Sequence, residues 1–577
     1  MNKINLLKNA FQTKYFIALI ALSGILGSFL RLYQIDAQVI GDDEWHGIYW
    51  AVKSSLSDIS SHFHEADNCI PLTLFYKILL ETTGLDEFGL HFFQLLAGLA
   101  SLVIFPLIIK AVFQKRVAVI FSFFLAISPF LIYYSRYARP YIIIVFLSFI
   151  SIFSFYFWIK KDKTTYVIIY LLTAILAPYF HLPSFISVIT PLFYTATFVV
   201  IKKGFLNRPD EPAHPRLTSI FFLGILLSAG VTILFFPAIN SLGAIRQKVH
   251  GDLSDIGIST IMGALNLFSG STSSALSVLF AALFICGSYL ACRKDIFLFG
   301  YLFSIISLQL LSLFIIRPTA VQDPIVFARY SICCLPLSLL FVSVGLNEVI
   351  SRLGNFISKK RNEFHSIPNI FLVGCFLIFF LEGPIPAIYK NPNNFTNHSD
   401  YQSDYLYTWT KTDPYSLTDP MPKFYFYLKG LKEATIVETP FIIEWRGNNY
   451  HIYQRLHHKK VMIGHTSYSY LTQSDPVMHA NIHFTNFVNI ENVKKIVNSN
   501  ISYIVVHKDM LNEFLFTRKN FPDFKPNVEE MEKNREYYEK LYGIPARKEA
   551  EKSIVFLHHT FGDPFYQDTQ IVVFRIK

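Results

Sequence analysis

The sequence predicts a polytopic α-helical membrane protein that ends in a smaller α/β or α+β domain. Three observations predict it. The 577 residues are 52% hydrophobic, include 57 Phe and carry only 16% charged side chains. Soluble domains carry about 25% charged residues, so much of this chain does not face water. Long apolar runs recur through the first two thirds, separated by short basic clusters. After residue 388 the composition turns polar and short β-rich runs take over.

Apolar runs of about 17–25 residues are candidate spans. Eleven are read: 15–33, 88–109, 117–134, 141–159, 165–180, 183–201, 217–238, 274–292, 295–316, 326–350 and 368–388. The charges support the count. Basic clusters fall at Lys3/Lys8/Lys14, Lys110/Lys115/Arg116, Lys160/Lys161/Lys163, Lys202/Lys203, Arg293/Lys294 and Arg352/Lys359/Lys360/Arg361. All lie on one side if the N-terminus is cytoplasmic, as the positive-inside rule requires. Reading 165–201 as one span, across Pro178, His181 and Pro183, breaks that alternation, so it is read as two. The loops 34–87, 135–140, 181–182, 239–273 and 317–325 are then extracytoplasmic. The net charge of +10 is accounted for by these clusters and gives no reason to expect nucleic acid. The N-terminal run follows three lysines and lacks a small-residue cleavage site, so it is kept as a signal-anchor and first span.

Loop 34–87 is too long for a mere connection. Glu44–Ser57 spaces its aromatic and apolar residues at a helical period, which suggests a helix lying in the membrane interface. A short apolar stretch ending at Leu80 reads as re-entrant. Domain 1–388 is thus the membrane part, and 389–577 an extracytoplasmic domain of ordinary size, about 190 residues. Its strands are expected at Thr435–Glu438, Val461–Ile463, Tyr503–His507 and Ile571–Phe574, with a charged helix around Val528–Lys540. The six cysteines show no C-x-x-C spacing and make neither a disulfide framework nor a zinc site.

Candidate chemistry gathers in the outer loops. Asp42, Asp43 and Glu44 are consecutive acids shortly after the first span. Acids are costly to desolvate, so they belong at a water-facing edge, where a carboxylate can take a proton from a hydroxyl. A solvated acidic loop is the competing reading. Tyr133–Tyr141 contains Arg136, Arg139 and Tyr141, types that clamp a phosphate through bidentate hydrogen bonds, or that form an interfacial belt. His181 lies between spans 5 and 6, and Arg329 and Tyr330 lie near the outer start of span 10. An Arg at membrane depth pairs with an acid or an anionic ligand. Acids and arginines on one face suit a lipid-linked phosphate donor and a hydroxyl acceptor. No Walker-type glycine loop and no H-E-x-x-H occurs. The acids can hold a divalent metal, but such cations take several oxygen ligands and no fixed spacing supplies them, so no metal ligand is assigned.

At these residues the chain resembles the GT-C membrane glycosyltransferases of the family 39 and family 83 type, the protein O-mannosyltransferases and lipid A aminoarabinose transferases. The resemblance rests on Arg31-Leu32, Asp43-Glu44, Asp67 to Pro71-Leu72, Ser135 to Ala138-Arg139-Pro140-Tyr141, His181, and Arg329-Tyr330 with Pro336, in that order. It implies a GT-C-like fold and a polyprenyl-phosphate-sugar donor. It also implies Asp43 as general base, with Asp42 a rival, and inversion at the sugar. It places Arg31, Arg136, Arg139, Tyr141, His181, Arg329 and Tyr330 on the donor phosphate or lipid, and Asp67 and His91 on the acceptor or loop. Two positions depart from the pattern: His91 stands where an Arg is common, and Tyr137 where an acid is common. The tail shows no sign of the repeat domain of eukaryotic protein O-mannosyltransferases, so a bacterial inner-membrane enzyme is expected, with a hydroxyl acceptor in the envelope. The alternatives are a transporter or flippase of lipid-linked saccharides, or a non-catalytic envelope-assembly protein. A transporter places its ionisable residues near the midplane on broken helices, whereas these sit at the outer boundary.

Overall fold

In the computed structural model the described residues are 3–33, 35, 44–63, 69–83, 85, 87–205, 217–241, 243, 256–271, 273–360, 367–383, 385–386, 421–440, 453, 456–457, 459–462, 473–476, 483–486, 494, 496–498, 500–518, 529 and 531–576. Asp42, Asp43 and Asp67 lie outside them.

Helices dominate up to residue 381. In order they are α1 (Lys3–Leu32), α2 (Trp45–Lys53), α3 (Leu56–Ser61), α4 (Ile70–Glu81), α5 (Glu87–Val112), α6 (Lys115–Ile127), α7 (Pro129–Ser135), α8 (Tyr141–Lys161), α9 (Thr164–Phe180), α10 (Ser184–Phe205) and α11 (Leu217–Phe235). Helices Ile258–Ser269, Ser274–Lys294, Ile296–Ile316, Pro324–Tyr330, Leu335–Lys360 and Ile367–Leu381 follow. Among the described residues seven helices are long and apolar enough to cross a membrane, or eight if α6 and α7, bent by 59°, form one broken span. The bend has a local cause: Pro129 opens α7, and a proline cannot donate to the preceding turn. Three other expected spans fall on α1, through its part Phe16–Leu32, on α9, and on Ile367–Leu381, through its part Phe371–Leu381. The interfacial stretch divides into α2 and α3, and the apolar stretch ending at Leu80 is part of α4.

Large apolar side chains face outward on these helices; Phe221 and Ile233 of α11 are 72% and 70% exposed. Such surfaces are untenable in water and suit a lipid-facing wall. The helices are layered by burial. Of the most apolar stretch of α8, and of that of the span Ile332–Leu353, 78% is buried inside the protein, against 17% for Leu217–Ser241. The first two therefore form the middle of the bundle and α11 its rim. Helices Ser274–Lys294 and Leu335–Lys360 approach at Gly287 and Gly345. A Cβ on Gly287 would overlap the carbonyl oxygen of Phe341, and one on Gly345 that of Leu283. Small residues let membrane helices pack backbone to backbone. Gly287→Leu is expected to split this pair, seen as a several-fold loss of monodisperse protein after detergent extraction.

From residue 421 the chain builds a five-stranded sheet in the order β2-β1-β5-β7-β6. Strands β1 (Thr435–Thr439), β2 (Lys460–Met462) and β5 (Tyr503–His507) are parallel. Strand β7 (Ile571–Arg575) runs antiparallel to β5, and β6 (Tyr566–Gln567) antiparallel to β7. A separate antiparallel pair joins β3 (Gln473–Pro476) to β4 (His483–Asn486). All five residues of β5 are buried, as expected of an apolar central strand. Of the expected charged helix, Arg535–Tyr538 is an α-helix, and it continues through a π turn into the long helix Ile544–Phe561. The buried cluster of the helical bundle extends into this region through Met510, Leu511, Leu515, Met531 and Ala546.

Within the sheet region a polar network is wholly buried. His507, at the end of β5, lies between two carboxylates: Nε2 is 2.7 Å from Glu438 Oε2 and Nδ1 is 2.8 Å from Glu513 Oε2. Tyr425 donates to Glu438 at 3.2 Å, and Tyr453 donates to Glu513. The rings of Tyr425 and Tyr453 stack at 4.2 Å. Burial alone lowers the pKa of an imidazole. The charge of Glu513 and the hydrogen bonds to both carboxylates outweigh it, and His507 is pushed up to about 10. Burial, with the charge of Glu513, also raises Glu438 despite its bond to His507.

Candidate active site

The helix ends around residues 31 and 136 fasten one another. Helix α6 stops at Ile127, and Pro129 leaves it without the N–H that would continue the ladder, so its last carbonyls lack intrahelical partners. Arg31, in the last turn of α1, supplies the donors. Its Nη2 reaches Leu125 O at 3.2 Å, and its Nη1 reaches Ala126 O at 3.3 Å and Gly27 O at 3.0 Å. Its Nε donates to Ser135 Oγ at 3.1 Å. Arg136 does the same for α1, with Nη1 2.9 Å from Arg31 O and 2.7 Å from Tyr33 O. Cations at helix C-termini also meet the negative end of the macrodipole. Both guanidinium groups are buried. Gly98 of α5 makes room for this, since a Cβ there would overlap Ser135 Oγ.

Glu44 precedes α2 without a side-chain capping bond, and instead of the expected water-facing edge it is buried, 1% exposed, because its carboxylate turns inward to partners on other segments. Its Oε1 accepts the Ala138 N–H at 2.7 Å and lies 2.9 Å from Nε2 of the fully buried His91 of α5. A buried carboxylate needs such partners to remain in the fold. The one oxygen therefore joins the start of α2 to the segment 136–140 and to α5.

From that segment a chain of rings leads across the bundle. Tyr134 meets Tyr141 edge-on at 4.7 Å, Tyr141 meets His181 at 5.2 Å, and His181 stacks on Tyr330 at 5.5 Å. The Arg329 guanidinium carbon lies 5.9 Å from the Tyr141 ring centre and 5.8 Å from that of Tyr330, within cation–π range. His181 is the C-cap of α9, Tyr141 opens α8 and Arg329 lies in the last turn of Pro324–Tyr330. Three distant parts of the sequence thus converge. Arg139, on the linking segment, is partly exposed.

The structure therefore forms two groupings. Arg31, Arg136, Glu44 and His91 make one, and Tyr141, His181, Arg329 and Tyr330 the other. The segment Ser135–Tyr141 belongs to both. Several participants escaped the sequence reading: Ser135 Oγ as a partner of Arg31, the Ala138 N–H, and Gln309. Ser135 and Ala138 lie in a motif that gives no hint of these partners, and Gln309 is a primary amide in the middle of an apolar run. Among the described residues no group of three or more His, Cys, Asp or Glu is placed to hold a metal ion; Asp42, Asp43 and Asp67 are not among them.

Among solved structures, the chain is similar to the oligosaccharyltransferase AglB from Archaeoglobus fulgidus, in complex with an inhibitory peptide and a dolichol-phosphate. The identity is 12% over 88% of this chain and 71% of that one, with a TM-score of 0.44. It is also similar to ArnT from Cupriavidus metallidurans. In the apo state the identity is 10% over 98% of both chains with a TM-score of 0.44, and bound to undecaprenyl phosphate it is 11% over 98% of both with 0.42. With TM-scores below 0.5, these likenesses establish neither the fold nor the chemistry of this chain. No curated protein matches it. A family model described as dolichyl-phosphate-mannose-protein mannosyltransferase matches residues 70–228, which is well under half of the chain. The stretch runs from α4 into α11 and includes His91, Arg136, Arg139, Tyr141 and His181. Over residues 70–228 this multi-pass membrane protein thus matches the dolichyl-phosphate-mannose-protein mannosyltransferase family of membrane glycosyltransferases, the family type its short motifs resemble.

Proposed function

We propose that the protein is an inverting glycosyltransferase that moves a sugar from a polyprenyl-phosphate donor to a hydroxyl acceptor on the extracytoplasmic face. Asp43 acts as general base, with Asp42 its rival; it removes the acceptor proton as oxygen attacks the anomeric carbon. Arg139, Tyr141, His181, Arg329 and Tyr330 hold the donor phosphate and stabilise the charge it gains on leaving. Arg31 and Arg136 act behind them by fixing the helix ends, and Glu44 with His91 fixes the loop that carries the acids. Asp67 lies on the acceptor side. We place the N-terminus in the cytoplasm, eleven spans in residues 1–388, and 389–577 as an extracytoplasmic domain, in a bacterial inner membrane.

One observation carries this reading. The segment Ser135–Tyr141 is tied at its middle, through the Ala138 N–H, to Glu44, the residue after Asp43, and at Tyr141 it touches the His181 and Arg329 grouping. Glu44, next in sequence to the proposed base, and a cationic, aromatic cradle thus share one short segment.

The test is incubation of membranes holding the protein with polyprenyl-phosphate-linked labelled sugar and an envelope fraction as acceptor. Label is expected to leave the lipid for the acceptor. Label that crosses the bilayer still attached to lipid would identify a translocator instead.

A further inference from the structure

We propose that Gln309 is a positioning residue that locks the His181 turn against the Arg329–Tyr330 helix end. It deepens the proposed function and rests on it.

Gln309 sits in the helix Ile296–Ile316 and is 1% exposed. An amide in apolar surroundings is costly unless its hydrogen bonds are made. Here both amide hydrogens and one carbonyl lone pair are used. Nε2 donates to Tyr330 O at 3.0 Å and to Pro183 O at 3.3 Å, while Oε1 accepts from Ser187 Oγ at 3.0 Å. Tyr330 ends its helix, so its carbonyl belongs to the last turn, which lacks intrahelical donors. Pro183 closes the turn that begins at His181, where Ser184 N–H donates to His181 O at 3.0 Å.

One side chain on a third helix thus grips the backbone of both segments. On the other side the same segments meet through the stacked rings of His181 and Tyr330. With the amide removed, two carbonyls and a hydroxyl lose their partner, and the segments can part by sliding one ring over the other. Arg329 is adjacent to Tyr330, so its guanidinium moves with that slip. The donor phosphate then meets a looser clamp, while Glu44 keeps its bonds to Ala138 and His91. The effect therefore falls on donor binding more than on the chemical step.

The test compares wild type with Gln309→Met, which keeps the volume and removes every hydrogen bond. The readouts are KM and kcat for the polyprenyl-phosphate-linked sugar and amide hydrogen exchange of the purified protein. Expected are a donor KM raised about tenfold with kcat within about twofold, and faster exchange confined to residues 181–187 and 328–332. Ser187→Ala, which removes one bond of three, is expected to raise KM about threefold, and it serves if Gln309→Met does not fold. Faster exchange with unchanged donor KM overturns the positioning role but leaves the transferase reading intact. Loss of kcat at unchanged KM also overturns it. Wild type without any transfer overturns the transferase reading, and the role of Gln309 with it.

Discussion

Replacing Glu44 by Ala is expected to lower sugar transfer by about 10²-fold, without touching the residue assigned as base. The reason is the position of Oε1. It takes the Ala138 N–H at 2.7 Å and pairs with His91 at 2.9 Å, all inside the protein. Truncation leaves a buried N–H and a buried imidazole without this acceptor. Breaking a buried pair at one partner costs about 3–5 kcal/mol. Some of that cost appears as lower thermal stability and some as a loosened acid loop. Glu44→Gln keeps an oxygen acceptor at the same place, and its transfer rate is expected within about tenfold of wild type. Initial rates and melting temperatures of both variants check this. A Glu44→Gln variant as inactive as Glu44→Ala would mean that the carboxylate itself takes part in the chemistry.

His507→Leu carries the second large effect, in the sheet region. The imidazole lies between Glu438 and Glu513, and its removal leaves two buried carboxylates facing each other without a cation. A loss of about 3–5 kcal/mol is expected. The pH dependence follows from the raised pKa values. The folded protein holds a proton on His507 up to about pH 10, whereas an unfolded His releases it near its ordinary value of about 6.5. The stabilisation is therefore complete below pH 6.5 and is lost as pH rises through about 10. The raised Glu438 acts in the same sense, since its folded form also holds protons longer. Proteolysis of the detergent-solubilised protein, followed at β5 from pH 6 to pH 10.5, should show opening that grows steeply with pH. In His507→Leu the part of that slope that follows the imidazole proton, toward pH 10, should be gone, and the part that follows the buried carboxylates should remain.

The sequence makes the apolar runs legible because a span must bury its backbone in its own ladder and clothe it in apolar side chains. Helix α8 and the helix Ser274–Lys294 occupy nearly the intervals read from composition. The turn at His181 is legible for a related reason: α9 ends at Phe180 and α10 begins at Ser184, where prolines and charge alternation both ask for a break. Strand β5 is read at its observed limits, since four β-prone residues, Tyr503 to Val506, run up to His507 between polar neighbours. Strands β3 and β4 are not, because Gln473–Pro476 and His483–Asn486 have neither alternation nor bulk. The helix Ile544–Phe561 lies under lysines and glutamates that read as a charged face with no clear start.

In the candidate site, residue type is legible and partnership is not. Arg31 and Arg136 stand out as cations at span ends, but spacing does not reveal that each donates to the carbonyls of another helix. That depends on the break at Ser128–Pro129 and on Gly98, two features whose effect appears only when helices meet. His91 is visible as a departure from a family pattern, and its bond to Glu44 is a property of the fold alone. Gln309 shows the opposite case, a polar residue conspicuous in an apolar run whose three partners come from distant segments.

Transfer by Asp43→Asn, measured beside Asp42→Asn in membranes supplied with polyprenyl-phosphate-linked labelled sugar, tests the central claim most directly. Loss of a general base costs about 10²–10⁴-fold. The account predicts that loss for Asp43→Asn, with normal membrane insertion and donor binding, while Asp42→Asn stays within about tenfold of wild type. Full activity in both variants would contradict it, because the acid cluster would then lie outside the catalytic centre.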